Sequence, residues 1–227
     1  MVFPPPSLSL QWYEEYFTSE AWISGSLLSL QVALGSMIIA TTLGTLAAFA
    51  IVRARFPGKD LLYAFILSPW IIPPIIISIS MFFVAVKLGL IGNAIVLASA
   101  HAVIGIPAVV VVVSATLKGF DESLEHASMS LGANRWQTFL YVTLPLIRPG
   151  VLTAGLFAFL ISFDDLLIAL YLGGERAVTL PRRIWSGLRF EINPTIAAVS
   201  VILVLISFLM LILIEIARRR AEWLRGK

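Results

Sequence analysis

Residues 125–150 read EHASMSLGANRWQTFLYVTLPLIRPG. Apolar runs of membrane-spanning length lie on both sides of this stretch. Helix signals begin just upstream, in FDESLEHASMSLGA. Asp121 is a good N-cap, and Glu122 and Glu125 fall in the first turn, where the helix dipole favours acids. Leu124, Ala127, Ser128 and Leu131 recur at i, i+3, i+4 and i+7, so they form one narrow stripe of small and apolar groups. Gly132 supplies a left-handed stop. A second short helix is predicted over about Arg135–Val142, leading to Leu144 and Pro145. The outcome is a short helix with a slim apolar face and acidic flanks, a shape that fits a groove on a partner protein. A helix lying on lipid would instead carry Lys or Arg on its polar face and large aromatics opposite.

The composition explains why such a loop must be a surface feature between spans. Of 227 residues 59% are apolar and only 13% charged, whereas a soluble domain carries about 25% charged residues. Mean hydropathy is +0.96. Five stretches each hold roughly 20 or more mostly apolar residues, enough to cross a bilayer as helices. They are about Ser26–Val52, Leu61–Val86, Ala94–Leu117, Pro149–Leu172 and Thr195–Ala217. Pro69, Pro73 and Pro74 predict a kink or unwound turn inside the second. The whole chain, 1–227, reads as one polytopic all-α domain, with its main loop at about 118–148.

Five spans leave the termini on opposite sides. Arg53, Arg55, Lys59, Lys118, Arg135, Arg148, Arg218, Arg219, Arg220, Arg225 and Lys227 fall on one side, and Lys87, Arg176, Arg182, Arg183 and Arg189 on the other. The richer side is cytoplasmic, which puts the C-terminus and the 118–148 loop inside. The opening MVFPPPSLSLQWYEEYFTSEAW has no apolar h-region and reads as an outer loop with an acidic amphipathic lead-in. A first helix is expected to be missing from the chain.

The loop resembles the EAA loop of ABC importer permeases. That pattern is Glu-Ala-Ala, three residues, Gly, nine residues, Ile, one residue, Leu-Pro. Gly132 and Pro145 stand 13 residues apart, as the pattern requires; Val142 takes the Ile position and Leu144-Pro145 closes it. The triplet falls on His126, Ala127 and Ser128, of which two depart from the pattern. Glu125 keeps an acid nearby, about 100° around the helix. The resemblance runs from about Leu8 to Arg220 and implies the fold of type I importer permeases, whose common form has six helices. It implies that the loop helix is a coupling helix seated on a separate ATP-binding subunit. That subunit, not this chain, would hold ATP and magnesium and carry the enzymatic activity. The chain has no G-x-x-x-x-G-K-[ST] loop of its own. Further implied partners are a second, different permease chain, a periplasmic solute-binding protein and membrane lipid, with no nucleic acid. The implied location is the bacterial inner membrane.

The fourth span contains AFLISFDDLLIALYLGG. Acids deep in a span cost roughly 2.5–3.5 kcal/mol on insertion scales and usually face the bundle interior or a wet path. Asp164 and Asp165 therefore read as a cation-attracting site in a solute path. Alternatively, one pairs with Arg182 or Arg183, or caps a broken helix. SFDD followed by TLPRRIWSGLRFEINPTIAAVS is similar to the second permease subunit of spermidine/putrescine importers. The resemblance implies an outer gate helix and a polyamine or related cationic solute; iron, sulfate, opine and thiamine are carried on the same fold. Trp70, Phe157 and Phe163 are candidate aromatics for the path. His101 reads as an interhelical hydrogen-bond partner, and Gly35, Ser36 and Gly44 as close-packing positions. Trp12, Trp22 and Trp223 read as interface anchors.

Other classes fit less well. Neighbouring aspartates on one helix cannot converge as an aspartyl protease requires. The absence of cysteine and the wide separation of His101 and His126 leave no metal set. A stand-alone channel would not explain the Gly132–Pro145 loop.

Overall fold

A computed structural model describes residues 9–190 and 194–225; the Pro4–Pro6 entry, the Trp223 side chain and Lys227 lie outside what it describes. Every described element is helical. In chain order these are α1 Gln11–Thr18, α2 Glu20–Arg53, α3 Lys59–Ile71, α4 Pro74–Lys87, α5 Ala94–Lys118, α6 Ser123–Ser130, α7 Arg135–Thr138, a π turn Phe139–Thr143, α8 Leu144–Phe163, α9 Leu167–Leu172, α10 Leu180–Phe190 and α11 Thr195–Arg225.

Helices α2, α5 and α8 form the centre. In lipid there is no hydrophobic force between helices, so close van der Waals contact must hold them. Their shared surface is accordingly small: Ala40, Ala48, Ala102, Ala154 and Ala158 are buried there with Val109, Val113, Leu117 and Ile147. A Cβ at Gly44 would lie 2.7 Å from Val109, and one at Gly35 3.1 Å from Ala98. Ser36 is fully buried. These are the close-packing positions anticipated from the sequence.

Among the described residues four helices are long and apolar enough to cross a membrane: Glu20–Arg53, Ala94–Lys118, Arg135–Phe163 and Thr195–Ile216. The second expected span carries the kink that its prolines predicted. It is a bent pair, α3 and α4, turning by 100°. Pro73 and Pro74 cause the bend: neither donates a backbone hydrogen bond, and a residue before proline is pushed out of the helical region. Ile72 is extended, with φ −76° and ψ 132°. Pro69 sits inside α3 without breaking it. Helix α3 then packs on α5, and α4 on α9.

The bounds of the fourth expected span are corrected. It begins earlier, because the predicted short helix from Arg135 runs through the π turn into α8 without a stop at Pro145. It ends earlier too, at Phe163, with a break before the short α9. Trp22 is not an interface anchor. It is buried with Tyr16, Leu180, Ile196 and Val199, because α1 folds back and sets the Tyr16 hydroxyl 2.7 Å from Ser26 Oγ. Helix α11 leaves Leu205, Leu209, Ile212 and Leu213 exposed, as suits a hydrocarbon surround.

The Gly44–Val109 contact is testable. Gly44→Leu should overpack the α2–α5 seam by about 1–3 kcal/mol. The detergent-solubilised protein should lose several degrees of thermal midpoint. An unchanged melt would mean that α2 and α5 can part there without cost.

Candidate functional site

The chemistry-bearing residues gather at two places. The first is the 118–148 loop. The Asp121 carboxylate accepts from the Ser123 N–H at 2.9 Å in the turn that leads into α6; the residue at the cap position is Glu122, not Asp121 as the sequence suggested, and its side chain makes no cap bond. The bond from the Ser123 N–H, followed by the Ser123 hydroxyl, holds the exposed Asp121 carboxyl below its usual range. At the other end the Gly132 N–H donates to Met129 O at 3.0 Å and the Ala133 N–H to Ser128 O at 3.2 Å. With φ +96° at Gly132, this is a Schellman stop. Asn134 and Gln137 then form a reciprocal capping box, both bonds at 2.9 Å. The π turn follows, with Leu144 N–H donating to Phe139 O. Pro145 has no N–H to continue the α ladder, and the wider turn re-registers the chain around it.

The orientation of α6 is the informative part. Glu125 and Ser128, three residues apart, point toward the protein's own body, and Glu122, just before α6, reaches back to it with its side chain 63% exposed. Glu122 and Glu125 both pair with Arg53, the latter at 3.3 Å. Glu125 Oε1 also accepts from the Thr143 hydroxyl at 2.8 Å. The Ser128 and Thr138 hydroxyls lie 3.2 Å apart. Leu124, His126, Ala127 and Met129 face outward, and Leu131 is 90% exposed. Ser128 thus leaves the predicted stripe and turns inward, while the rest of the stripe is bare. Leu144 is half-buried and Pro145 exposed. Sequence reasoning missed Arg53, Thr138 and Thr143. The sequence shows Arg53 only as a topology charge, although Glu122 and Glu125, spaced i, i+3 at the start of α6, are a sign that a cation would be drawn to them.

The second place is the break after α8. Asp164 is exposed and lines a cavity of about 610 Å³ between α10 and α11, with Ile184, Trp185, Leu188, Ser200, Ser207 and Phe208 among its walls. Asp165 turns away. Its carboxylate accepts from the Ile168 N–H at 2.8 Å, capping α9, and lies 3.6 Å from His101 Nε2. His101 is buried, with Nδ1 2.8 Å from the Ser162 hydroxyl, which is the interhelical bond expected of it. Among the described residues neither aspartate pairs with Arg182 or Arg183; Arg182 donates to Gly174 O. Phe163 is buried and stacks on Phe159 at 5.4 Å. Trp70 is 54% exposed on α3, with its indole N–H 3.4 Å from Ile104 O. Phe157 is 37% exposed. Trp70, Phe157 and Phe163 do not line the Asp164 cavity.

Apolar helices of membrane-spanning length, joined by a loop helix with an exposed face, define an all-helical membrane protein. The model of the family "Binding-protein-dependent transport system inner membrane component" matches residues 40–223, and the chain belongs to that family. The chain is 35% identical over 202 residues to the putrescine transport system permease protein PotI of Escherichia coli (strain K12), covering 86% of this chain and 72% of that one. It is 28% identical over 212 residues to the spermidine/putrescine transport system permease protein PotC of Haemophilus influenzae, covering 93% and 82%. An amino acid ABC transporter solved with histidines shares the fold, at TM-score 0.69, 18% identity and coverage of 94% and 99%. The chain is an ABC importer permease with the all-helical fold its sequence predicted.

The two acids should separate in a stability assay. Asp165→Ala removes a helix cap, which costs about 0.5–2 kcal/mol, and should lower the thermal midpoint in detergent. Asp164→Ala, at an exposed position, should not. Equal melts would remove the distinction drawn between them.

Proposed function

We propose that this chain is one permease of an importer driven by separate ATPase subunits, and that it passes polyamines or a closely related cationic solute inward. The observation that carries the first half is the reversed amphipathicity of α6. A surface helix ordinarily turns its apolar side to the core and its polar side to water. Here Glu125 and Ser128 face the body, and Leu124, Ala127 and Leu131 face out. That arrangement suits a helix whose apolar side is completed by another protein. On this reading Glu125, His126, Ala127, Ser128, Gly132, Leu144 and Pro145 form the coupling loop. ATP and magnesium sit on the partner, a second permease completes the path, and a solute-binding protein delivers to it. The loop and the C-terminus are cytoplasmic, in keeping with the excess of Lys and Arg on that side.

The solute reading is supported by the similarity to putrescine and spermidine/putrescine permeases and by the chemistry near Asp164. A single exposed carboxylate beside apolar and aromatic walls attracts an ammonium while accommodating an alkyl chain. Asp164 is the residue assigned to the path, and Asp165 supports the break that presents it. Trp70 lies away from that cavity and Phe163 is packed, so both are weaker candidates for solute contact.

Two variants test the halves separately in vesicles carrying the whole transporter. Asp164→Asn should reduce uptake of labelled putrescine while the complex still copurifies; unchanged uptake would assign Asp164 a structural role only. Gly132→Val forces a β-branched residue to φ +96°, a strain of about 1–3 kcal/mol. A Cβ there meets nothing within 4 Å, so backbone geometry alone is perturbed. Solute moved per ATP hydrolysed should fall, and wild-type coupling would count against the loop's role.

A further inference from the structure

Arg53 is the last residue of α2, and α2 belongs to the closely packed centre of the bundle. Its guanidinium is mostly buried, at 19% side-chain exposure. It pairs with Glu122, reaches Glu125 Oε1 at 3.3 Å, and lies over the Phe120 ring with its carbon 5.6 Å from the centroid. The same Glu125 oxygen accepts from Thr143, itself buried in the π turn that opens α8. One carboxylate therefore joins the end of α2, the loop helix α6 and the start of α8.

Charge alone does not explain the residue. A planar guanidinium can serve two carboxylates and stack on an aromatic face at once, whereas an ammonium is a point charge on a flexible stem. The segments flanking α6, at Gly119–Glu122 and Leu131–Asn134, are turns. A helix tied to the bundle only by such turns would shift without moving the spans, because turns absorb φ/ψ change.

We propose that Arg53 is a positioning residue that makes α6 and α2 move as one piece, carrying displacement of the loop helix into the α2–α5–α8 core. This rests on the reading that α6 receives the partner's motion. The role differs from docking. Arg53 sits on the inner side of α6, behind the face offered to the partner, and acts on what happens after contact is made.

The test uses the complete transporter in proteoliposomes, with ATP hydrolysis and uptake of labelled putrescine measured in the same sample. The variants are Arg53→Lys, Arg53→Ala and Glu125→Gln. Arg53→Lys keeps the charge at the end of α2 but loses the fork. Solute moved per ATP should fall roughly two- to thirtyfold, the range reached by changes along coupling networks, in complexes that still copurify. A merely structural role would lower yield or thermal midpoint and leave that ratio alone. If Arg53→Ala does not assemble, Arg53→Lys and Glu125→Gln decide the matter. Wild-type ratios in those two would overturn the proposal. Gly132→Val in parallel separates the failures: if it uncouples while the Arg53 and Glu125 variants do not, α6 couples by another route. If none of them uncouples, the loop reading falls as well.

Discussion

The bundle depends on how closely α2, α5 and α8 approach one another. Gly155 faces Thr41 and Gly150 faces Thr116 across distances that leave little or no room for a side chain, and Gly105 lies against Ala40 and Ala158. In hydrocarbon, this contact area replaces the water-driven burial that holds a soluble core. Close-packed side chains transmit strain rather than absorb it. A block built this way responds to a push at one end as a unit. The Pro73–Pro74 bend and the break between α8 and α9 lie outside that seam.

The ends of that block carry different chemistry. At one end Arg53 and Thr143 hold the acidic edge of α6. At the other, α8 stops and Asp164 is presented toward α10 and α11. The stop is itself built from polar groups. Asp165 caps α9, and its neighbour Ser162 engages His101 from α5. Polar groups within a span must find partners inside the protein, and the same bonds that satisfy them pin the break to the central helices.

Much of this was legible in the residues. The spans followed from composition and length, and the stop at Gly132 from the need for a left-handed residue. The small-residue seam was visible in Gly35, Ser36 and Gly44. Two proline signals gave opposite outcomes: Pro73–Pro74 bent the chain, while Pro145 and Pro149 were absorbed within one continuous helix. The difference lies in the neighbourhood. Two consecutive prolines remove adjacent donors, whereas Pro145 is accommodated by a π turn that hydropathy cannot reveal. The direction of α6 was also hidden. Periodicity gave its two faces but not which one met the body, because that is decided by Arg53, 69 positions before Glu122. The division of labour between Asp164 and Asp165 depends on the backbone breaking between them and Leu167; the sequence offered a cap on a broken helix as one reading of the pair, but not which aspartate would fill it.

The π turn at Phe139–Thr143 has a consequence for how this loop can vary. It holds one residue more than an α-helical path would. Removing a single residue there would restore a regular helix, but it would rotate everything before it by about 100° and draw it in by about 1.5 Å. Thr138 would leave Ser128, and the capping box at Asn134 would turn with it. Side chains in this segment can change identity and leave that geometry standing, but its length cannot. Insertions and deletions between Gly132 and Pro145 should therefore be far less tolerated than substitutions, which is why a spacing identifies this loop where two of its three signature letters are missing.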